Sequence, residues 1–423
     1  MARLGRAFGF LLSSTALSNL ADGVLKVGAP LLAVSYTRSP ALVALAGAAA
    51  TLPWLLLAMP AGALADRLDR RRIMVVANTS RALLLVVAAV LAALGLMNLW
   101  VLLAVVLLAC AAEVPADTAA QSVLPMVVTG DDLTRANGRI VGAQVVGNDF
   151  AGAPLAGVLV TALPAAVLGA PGLLYGAAAL LLLGMRGRFL PRRAATPSPV
   201  ARDIAESLRY LFSHRFLRTL AMCAGLLNTS FSAYFAVFVL WAVGDGSRMG
   251  LTPGGYGLVM SALAVGALAG SLVAGRAGRL AGALLGGRSG DAAALVALWA
   301  VCALLHLVPL LLPIPWLLYV TAVGWGAAGA AANVLVISTR QRIIPGELLG
   351  RVNAAYRLIG MGGMPLGAAL GGLLGEVAGL PAVFLGATAV QLFAVSWMGR
   401  VVFSVISSQV TSRVTIPDIT GSR

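Results

Sequence analysis

Runs of about twenty predominantly apolar residues recur along the chain with little more than turns between them. At about 35 residues per span and connection, 423 residues hold roughly twelve such helices. Hydropathy and helix breakers predict them over 8–36, 42–65, 73–95, 98–119, 138–162, 165–186, 215–243, 253–278, 291–312, 315–338, 352–376 and 380–404. The expected fold class is an all-α membrane protein with twelve transmembrane helices in two six-helix bundles. Composition agrees, with only 11% of residues charged against roughly 25% in a soluble domain.

The basic residues are arginines with one exception, Lys26, and a single lysine in that setting excludes a GK[ST] nucleotide loop. His214 and His306 are the only histidines, and Cys110, Cys223 and Cys302 stand far apart, so neither a zinc motif nor a CxxC pair can be assembled. No metal, cofactor or enzymatic activity is expected. A net charge of +15 would suggest nucleic-acid binding in a soluble protein. Here the arginines sort by topology instead: with both termini cytoplasmic, twenty-five fall on cytoplasmic segments and only Arg38 and Arg248 on outer loops. That asymmetry predicts the orientation and removes the nucleic-acid reading.

The longest polar segment, 186–218, contains the proline-rich piece Pro191 to Pro199 and an amphipathic stretch from Asp203 to Phe212. It divides the chain into an N-terminal bundle 1–186, a cytoplasmic linker 187–214, a C-terminal bundle 215–404 and a cytoplasmic tail 405–423. The first apolar stretch is too long for a signal peptide and carries Asp22 and Lys26, so it is expected to be retained as helix one. The halves repeat. QSVLPMVVTGDDLTRAN over 121–137 aligns with QRIIPGELLGRVN over 341–353 through Gln, Pro and Leu-x-Arg-x-Asn with a four-residue gap, or its near form in the second copy. The match continues from Gly152-Ala-Pro-Leu-Ala-Gly157 onto Gly367-Ala-Ala-Leu-Gly-Gly372, small-residue faces that allow close helix approach. Six-plus-six repeats point to alternating access around a site between the halves.

Between helices two and three stands Gly62-Ala-Leu-Ala-Asp66-Arg67-Leu-Asp69-Arg70-Arg71-Arg72. It resembles the G-x-L-A-D-R-x-G-R-R-x signature of the major facilitator superfamily, with Asp69 where the pattern has Gly. Together with Asn19-Leu-Ala-Asp22-Gly23 and Glu113-Val-Pro-Ala-Asp117-Thr-Ala-Ala-Gln121, the loop is similar to the branch that contains the enterobactin exporter and macrolide efflux permeases. The resemblance covers all twelve helices and implies proton-coupled export. It also makes the loop a cytoplasmic latch, in which Gly62 gives close packing, Asp66 meets an orphan helix N-terminus or a nearby arginine, Arg70 to Arg72 reach head groups and carboxylates, and Arg67 and Asp117 belong to the same gating set. The alternative is a topology signal alone. Gly152 to Gly157 resembles the glycine-proline antiporter motif of drug exporters, with Ala153 in place of the glycine before Pro154.

Seven ionisable residues fall well inside the spans: Asp22, Lys26, Arg81, Glu113, Asp117, Asp149 and Arg357. Each costs a few kcal/mol to insert and so is expected to face the bundle interior or a wet cavity. Asn19, Asp22 and Lys26 share one face of helix one, and Asp22 with Lys26 is an i,i+4 pair, which makes Lys26 the expected counter-ion. Asp22 and Asp149 lie near mid-membrane by the helical rise and are the first and second candidate proton carriers. Arg81, Glu113 and Asp117 can form a cluster, read either as a structural ion pair or as a second relay. Gln144, Asn148, Asn228, Tyr234, Phe235, Phe238, Arg357, Met361 and Met364, with Asn19, are the expected substrate-contacting surface.

The function these features predict is proton-coupled efflux of an amphipathic organic compound such as a drug, secondary metabolite or siderophore. Protons and membrane lipids are the other partners, in a monomer in a bacterial plasma membrane. A nutrient importer, a lipid flippase, and a non-transporting receptor or scaffold are the alternatives.

Overall fold

The computed structural model describes residues 5–65, 67–128, 132–190, 208–285, 290–344 and 346–414. Asp66, most of the expected linker 187–214 and the end of the expected tail lie outside the described residues. Among the described residues, twelve helices are long and apolar enough to cross a membrane. They are α1 (Arg6–Tyr36), α2 (Pro40–Ala65), α3 (Arg70–Ala93), α4 (Leu99–Val127), α5 (Leu133–Gln144, Val145–Ala151 and Gly152–Ala162 end to end), α6 (Ala166–Leu183), α7 (Arg215–Ala242), α8 (Pro253–Leu285), α9 (Gly290–Leu305 and Val308–Leu311), α10 (Pro315–Ile343), α11 (Gly346–Ala378) and α12 (Leu380–Val414).

Local chemistry sets several boundaries. Proline opens α2, α8 and α10, where its missing N–H leaves no intrahelical bond unmade. Asn98 caps α4 by accepting from the Val101 N–H at 3.0 Å, just after Gly95 turns the chain at φ 72°. Asp69 caps α3, accepting from the N–H groups of Arg71 at 3.0 Å and Arg72 at 3.4 Å. The departure from the family pattern at position 69 is therefore an N-cap. Several helices differ from the simple spans predicted, α8 and α12 by running longer and α5 by its three-part course, and two of the differences have a visible cause. In α9 the helix breaks after Leu305, because Pro309 cannot donate to that carbonyl; buried Trp241 donates its Nε1–H to the Pro309 carbonyl at 3.1 Å. α4 runs eight residues past its expected end, held by Val123 and Leu124, which are buried against Phe8 and Leu11.

The two halves repeat in space. In α5 a Cβ on Gly152 would stand 2.6 Å from the Gly23 Cα of α1, and one on Gly157 would stand 2.7 Å from the Gly254 Cα at the start of α8. In α11 the aligned Gly367 lies against the Thr229 backbone of α7, and Gly372 against Pro40 and Ala41 at the start of α2. Each half thus lends one glycine-faced helix to its own first helix and to the opening of a helix in the other half. A hydrophobic cluster joins the halves near the end opposite the chain termini, with Val24, Leu31, Val43 and Ala156 from the first and Tyr234, Phe238, Trp325 and Phe384 from the second. At that far end Arg38 donates to the Val243 carbonyl at 3.4 Å, and the Glu376 carboxylate accepts from the Ser39 hydroxyl at 2.6 Å and the Ala41 N–H at 3.3 Å. Nearer mid-height, Ser261 donates to the Phe150 carbonyl at 3.1 Å. Phe150 is four residues before Pro154, which has no N–H to donate to that carbonyl, and the other half supplies a donor. Among the described residues, no hydrogen bond or ion pair with both partners described joins the halves nearer the terminal end than this.

Candidate functional site

The first half is built around one guanidinium. Arg81 is 1% exposed, at the centre of α3. Its Nη2 donates to Asp22 Oδ1 of α1 in a short ion pair, to Glu113 Oε2 of α4 at 3.2 Å and to the Tyr175 hydroxyl of α6 at 2.5 Å. The Tyr175 hydroxyl in turn donates to Asp22 Oδ1 at 2.5 Å, and the Arg81 guanidinium lies 3.8 Å over the Tyr175 ring. Four helices of one bundle are tied through a single buried cation. Asp117, one turn along α4, and Lys26 both act electrostatically on Glu113. Three carboxylates therefore stand near two cations.

This corrects the expected counter-ion. Lys26 is exposed and, among the described residues, makes no ion pair; Arg81 holds Asp22. The i,i+4 geometry places the two side chains on neighbouring turns, but helix packing turns Asp22 toward α3 and α6 and leaves Lys26 outside them. Tyr175, missed in the sequence, is a lone phenol in an otherwise apolar eighteen-residue helix, which was its available signal. Asn19 is buried and donates to the Thr15 carbonyl at 2.8 Å.

A polar cavity of about 270 Å³ leads to the cluster from the terminal side. Asn19, Asn78, Arg81, Asp117, Gln121 and Gln144 are among the side chains that line it, and all of its lining comes from α1, α3, α4 and α5. It belongs to the first half alone.

Asp149 does not join this cluster. It is exposed, in the stretch of α5 that winds as a π-helix over Val145–Ala151. There Gly147 and Gly152 let α5 press against α1, with the Asn148 backbone carbonyl directed at Gly23. Asn148 is half-buried and its Oδ1 has no hydrogen-bond partner. A wide turn of this kind in a transmembrane helix commonly marks a functional position.

On the second half, Asn228 donates to the Gly360 carbonyl at 2.9 Å. Arg357 and Met361 are exposed, while Met364 and Phe235 are half-buried. Tyr234 and Phe238 are corrected: both are fully buried and belong to the core, turned toward Trp325 and Phe384. Successive positions four apart on α7 explain the difference, since Phe231 and Phe235 form one stripe, with ring centroids 4.3 Å apart, and Tyr234 and Phe238 another. Phe231 was not among the expected substrate-contacting residues. Nor was His306 singled out as a packing residue: it is buried, its Nδ1 lies 2.7 Å from the Cys302 carbonyl, and its ring packs on Tyr234 and Trp325.

In the loop expected to latch, Gly62 is half-buried, and among the described residues a Cβ there would find no atom within 4 Å, so close packing at that position is corrected. Arg70 donates to the carbonyls of Ala65 at 3.2 Å and Ser122 at 2.9 Å, and Arg71 to those of Leu182 at 2.8 Å and Leu183 at 2.7 Å. Both arginines thereby satisfy C-terminal carbonyls of α2, α4 and α6, within one half. Arg67 is exposed.

The sequence profile of the transmembrane secretion effector family matches residues 4–418, nearly the whole chain. The chain belongs to that family of major facilitator superfamily transporters. It is 28% identical over 395 residues to the multidrug efflux pump Tap of Mycobacterium tuberculosis (strain ATCC 25618 / H37Rv), covering 90% of each chain. To the Tap pump of Mycolicibacterium fortuitum it is 26% identical over 381 residues, covering 86% of this chain and 88% of the pump. Among solved structures it superposes on a bacterial homologue of the iron transporter ferroportin in an inward-facing state with a TM-score of 0.71, at 16% identity, covering 93% of this chain and 98% of that one. On the nucleoside transporter NupG the TM-score is 0.68, at 13% identity, covering 95% and 99%. These likenesses establish the major facilitator fold, and the chain is a multi-pass membrane transporter.

Proposed function

We propose that this transporter exports amphipathic organic compounds across a bacterial plasma membrane in exchange for protons. The observation that carries the reading is the buried Asp22, Arg81, Glu113 and Tyr175 cluster with Asp117 and Lys26 beside it. Three carboxylates against two cations leave one negative charge in the membrane interior, and one bound proton neutralises it. Because Asp22 and Glu113 share the Arg81 guanidinium, the proton belongs to the group rather than to one residue. The polar cavity of the first half gives that proton an approach from the terminal side. The Tap relatives, which are multidrug efflux pumps, support the direction and the substrate class.

The arginine asymmetry supports placing both termini in the cytoplasm, with Arg186 to Arg218 connecting bundles 1–186 and 215–404. On that orientation the hydrogen bonds and the hydrophobic cluster that join the halves lie at the outer end and mid-height, which supports an inward-facing arrangement. The half-buried Phe235, exposed Phe231 and Met361, and Asn228 then offer the apolar and polar contacts an amphipathic solute needs. Arg70 and Arg71 hold inner helix ends of the first half and serve as the latch that works against the second half when the inner side closes.

Efflux in proteoliposomes under an imposed pH gradient, with the lipophilic cation tetraphenylphosphonium as probe, tests the reading. Wild type is expected to accumulate the probe only with the gradient, and Asp22→Asn to lose gradient-driven flux while still binding it. Flux that ignores the gradient in wild type contradicts the proposal.

The outer closure has its own test. A Cβ on Gly47 of α2 would stand 3.7 Å from the Ala368 Cβ of α11, the spacing of a disulfide. With the native cysteines replaced by alanine, Gly47→Cys with Ala368→Cys is expected to cross-link on oxidation and stop transport, and a reductant to restore it. Full transport by the cross-linked protein would show that this contact does not open.

A further inference from the structure

Outside the cluster and the space between the halves, a second opening of about 660 Å³ lies on the flank of the first half at its terminal end. Its floor is apolar, formed by Ile73, Val76 and Ala77 of α3 with Ala112 and Pro115 of α4. Its rim carries Arg67, Arg72 and Arg188, three arginines brought together from the α2 to α3 loop, the first turn of α3 and the segment after α6. Among the described residues, none of the three has a carboxylate within ion-pair distance. Asp69 also lines the rim, but its carboxylate accepts from the N–H groups of Arg71, Arg72 and Phe189, the last at 3.3 Å, and is spent on the cap. Arg70 and Arg71 are turned away onto helix-end carbonyls. The rim is thus cationic, and the N-terminus of α3 adds its own positive dipole end.

We propose that this groove is a site for one anionic phospholipid, its phosphodiester held by Arg67, Arg72 and Arg188 and one acyl chain lying in the trough between α3 and α4. From Arg72 to Ser80 the trough runs along eight residues of helix, about 12 Å, from the rim toward mid-membrane. Exposed Val76 leaves it open to the lipid phase. Apolar depth below and unpaired guanidinium groups at head-group level match a lipid at both ends, whereas a soluble anion would use only the rim.

The test uses the full chain, purified and stripped of lipid in detergent, and titrated with phosphatidylglycerol or phosphatidylcholine. Retained lipid is read by native mass spectrometry and the thermal midpoint is followed in parallel. Wild type is expected to retain one phosphatidylglycerol on the order of tenfold to hundredfold more tightly than phosphatidylcholine, at about one factor of five per arginine. Replacing Arg67, Arg72 and Arg188 together with glutamine should abolish that preference. Ser80→Trp, an exposed position at the foot of the trough, should weaken binding of the same lipid with every arginine in place. Equal retention of the two lipids by wild type, an unchanged preference in the triple variant, or equal protection by inorganic phosphate alone would each overturn the proposal.

Discussion

Arg81→Met is expected to destabilise the folded chain by about 3–5 kcal/mol, the cost of removing one member of a buried ion pair and stranding the other. Asp22 loses its ion-pair partner and Glu113 the same donor, both inside the first bundle. The effect should be strongly non-additive. Arg81→Met combined with Asp22→Asn is expected to recover much of the loss, because the neutral amide no longer needs a counter-ion in a site that still offers the Tyr175 hydroxyl. Unfolding of the purified variants in denaturing detergent, arranged as a double-mutant cycle, measures this coupling. Strictly additive losses would mean that the two residues act independently.

A second large effect is expected where α1 and α5 cross. Gly152→Val places its first side-chain carbon 2.6 Å from the Gly23 Cα, a backbone atom that cannot swing aside. Overpacking of this kind costs about 1–3 kcal/mol, and here it also pushes the π-helical turn away from α1. The variant should therefore show both a lower yield of monodisperse protein and a loss of transport in what remains. Gly329→Ala is the matched control, since a Cβ at that position of α10 meets no atom within 4 Å. It is expected to be neutral or slightly stabilising, as alanine is the better helix former. Equal tolerance of both substitutions, read from thermal midpoints and flux, would remove the crossing from the account.

Twelve helices are legible because each must be apolar over the thickness of a bilayer, a constraint that every span satisfies alone. The pairing of halves is legible too, because Gly152, Gly157, Gly367 and Gly372 are small where backbones touch. Partners across helices are not. Asp22 meets residues 59 and 153 positions away, and nothing local distinguishes those from Lys26, which sits one turn along the same helix. Tyr234 and Phe238 likewise read as a solute surface until the position of α10 and α12 turns them into core. The π-helical stretch of α5 was also hidden, because it arises from the fit of Gly147 and Gly152 against α1 rather than from the propensity of its own residues.

If the Arg81-centred cluster carries the exchangeable proton, substrate binding must release it. Tetraphenylphosphonium added to purified, weakly buffered protein should release protons detectable with a pH-sensitive dye, and Asp22→Asn should bind the same cation with the release abolished or sharply reduced. Equal release from wild type and from a variant carrying Asp22→Asn, Glu113→Gln and Asp117→Asn together would contradict the account.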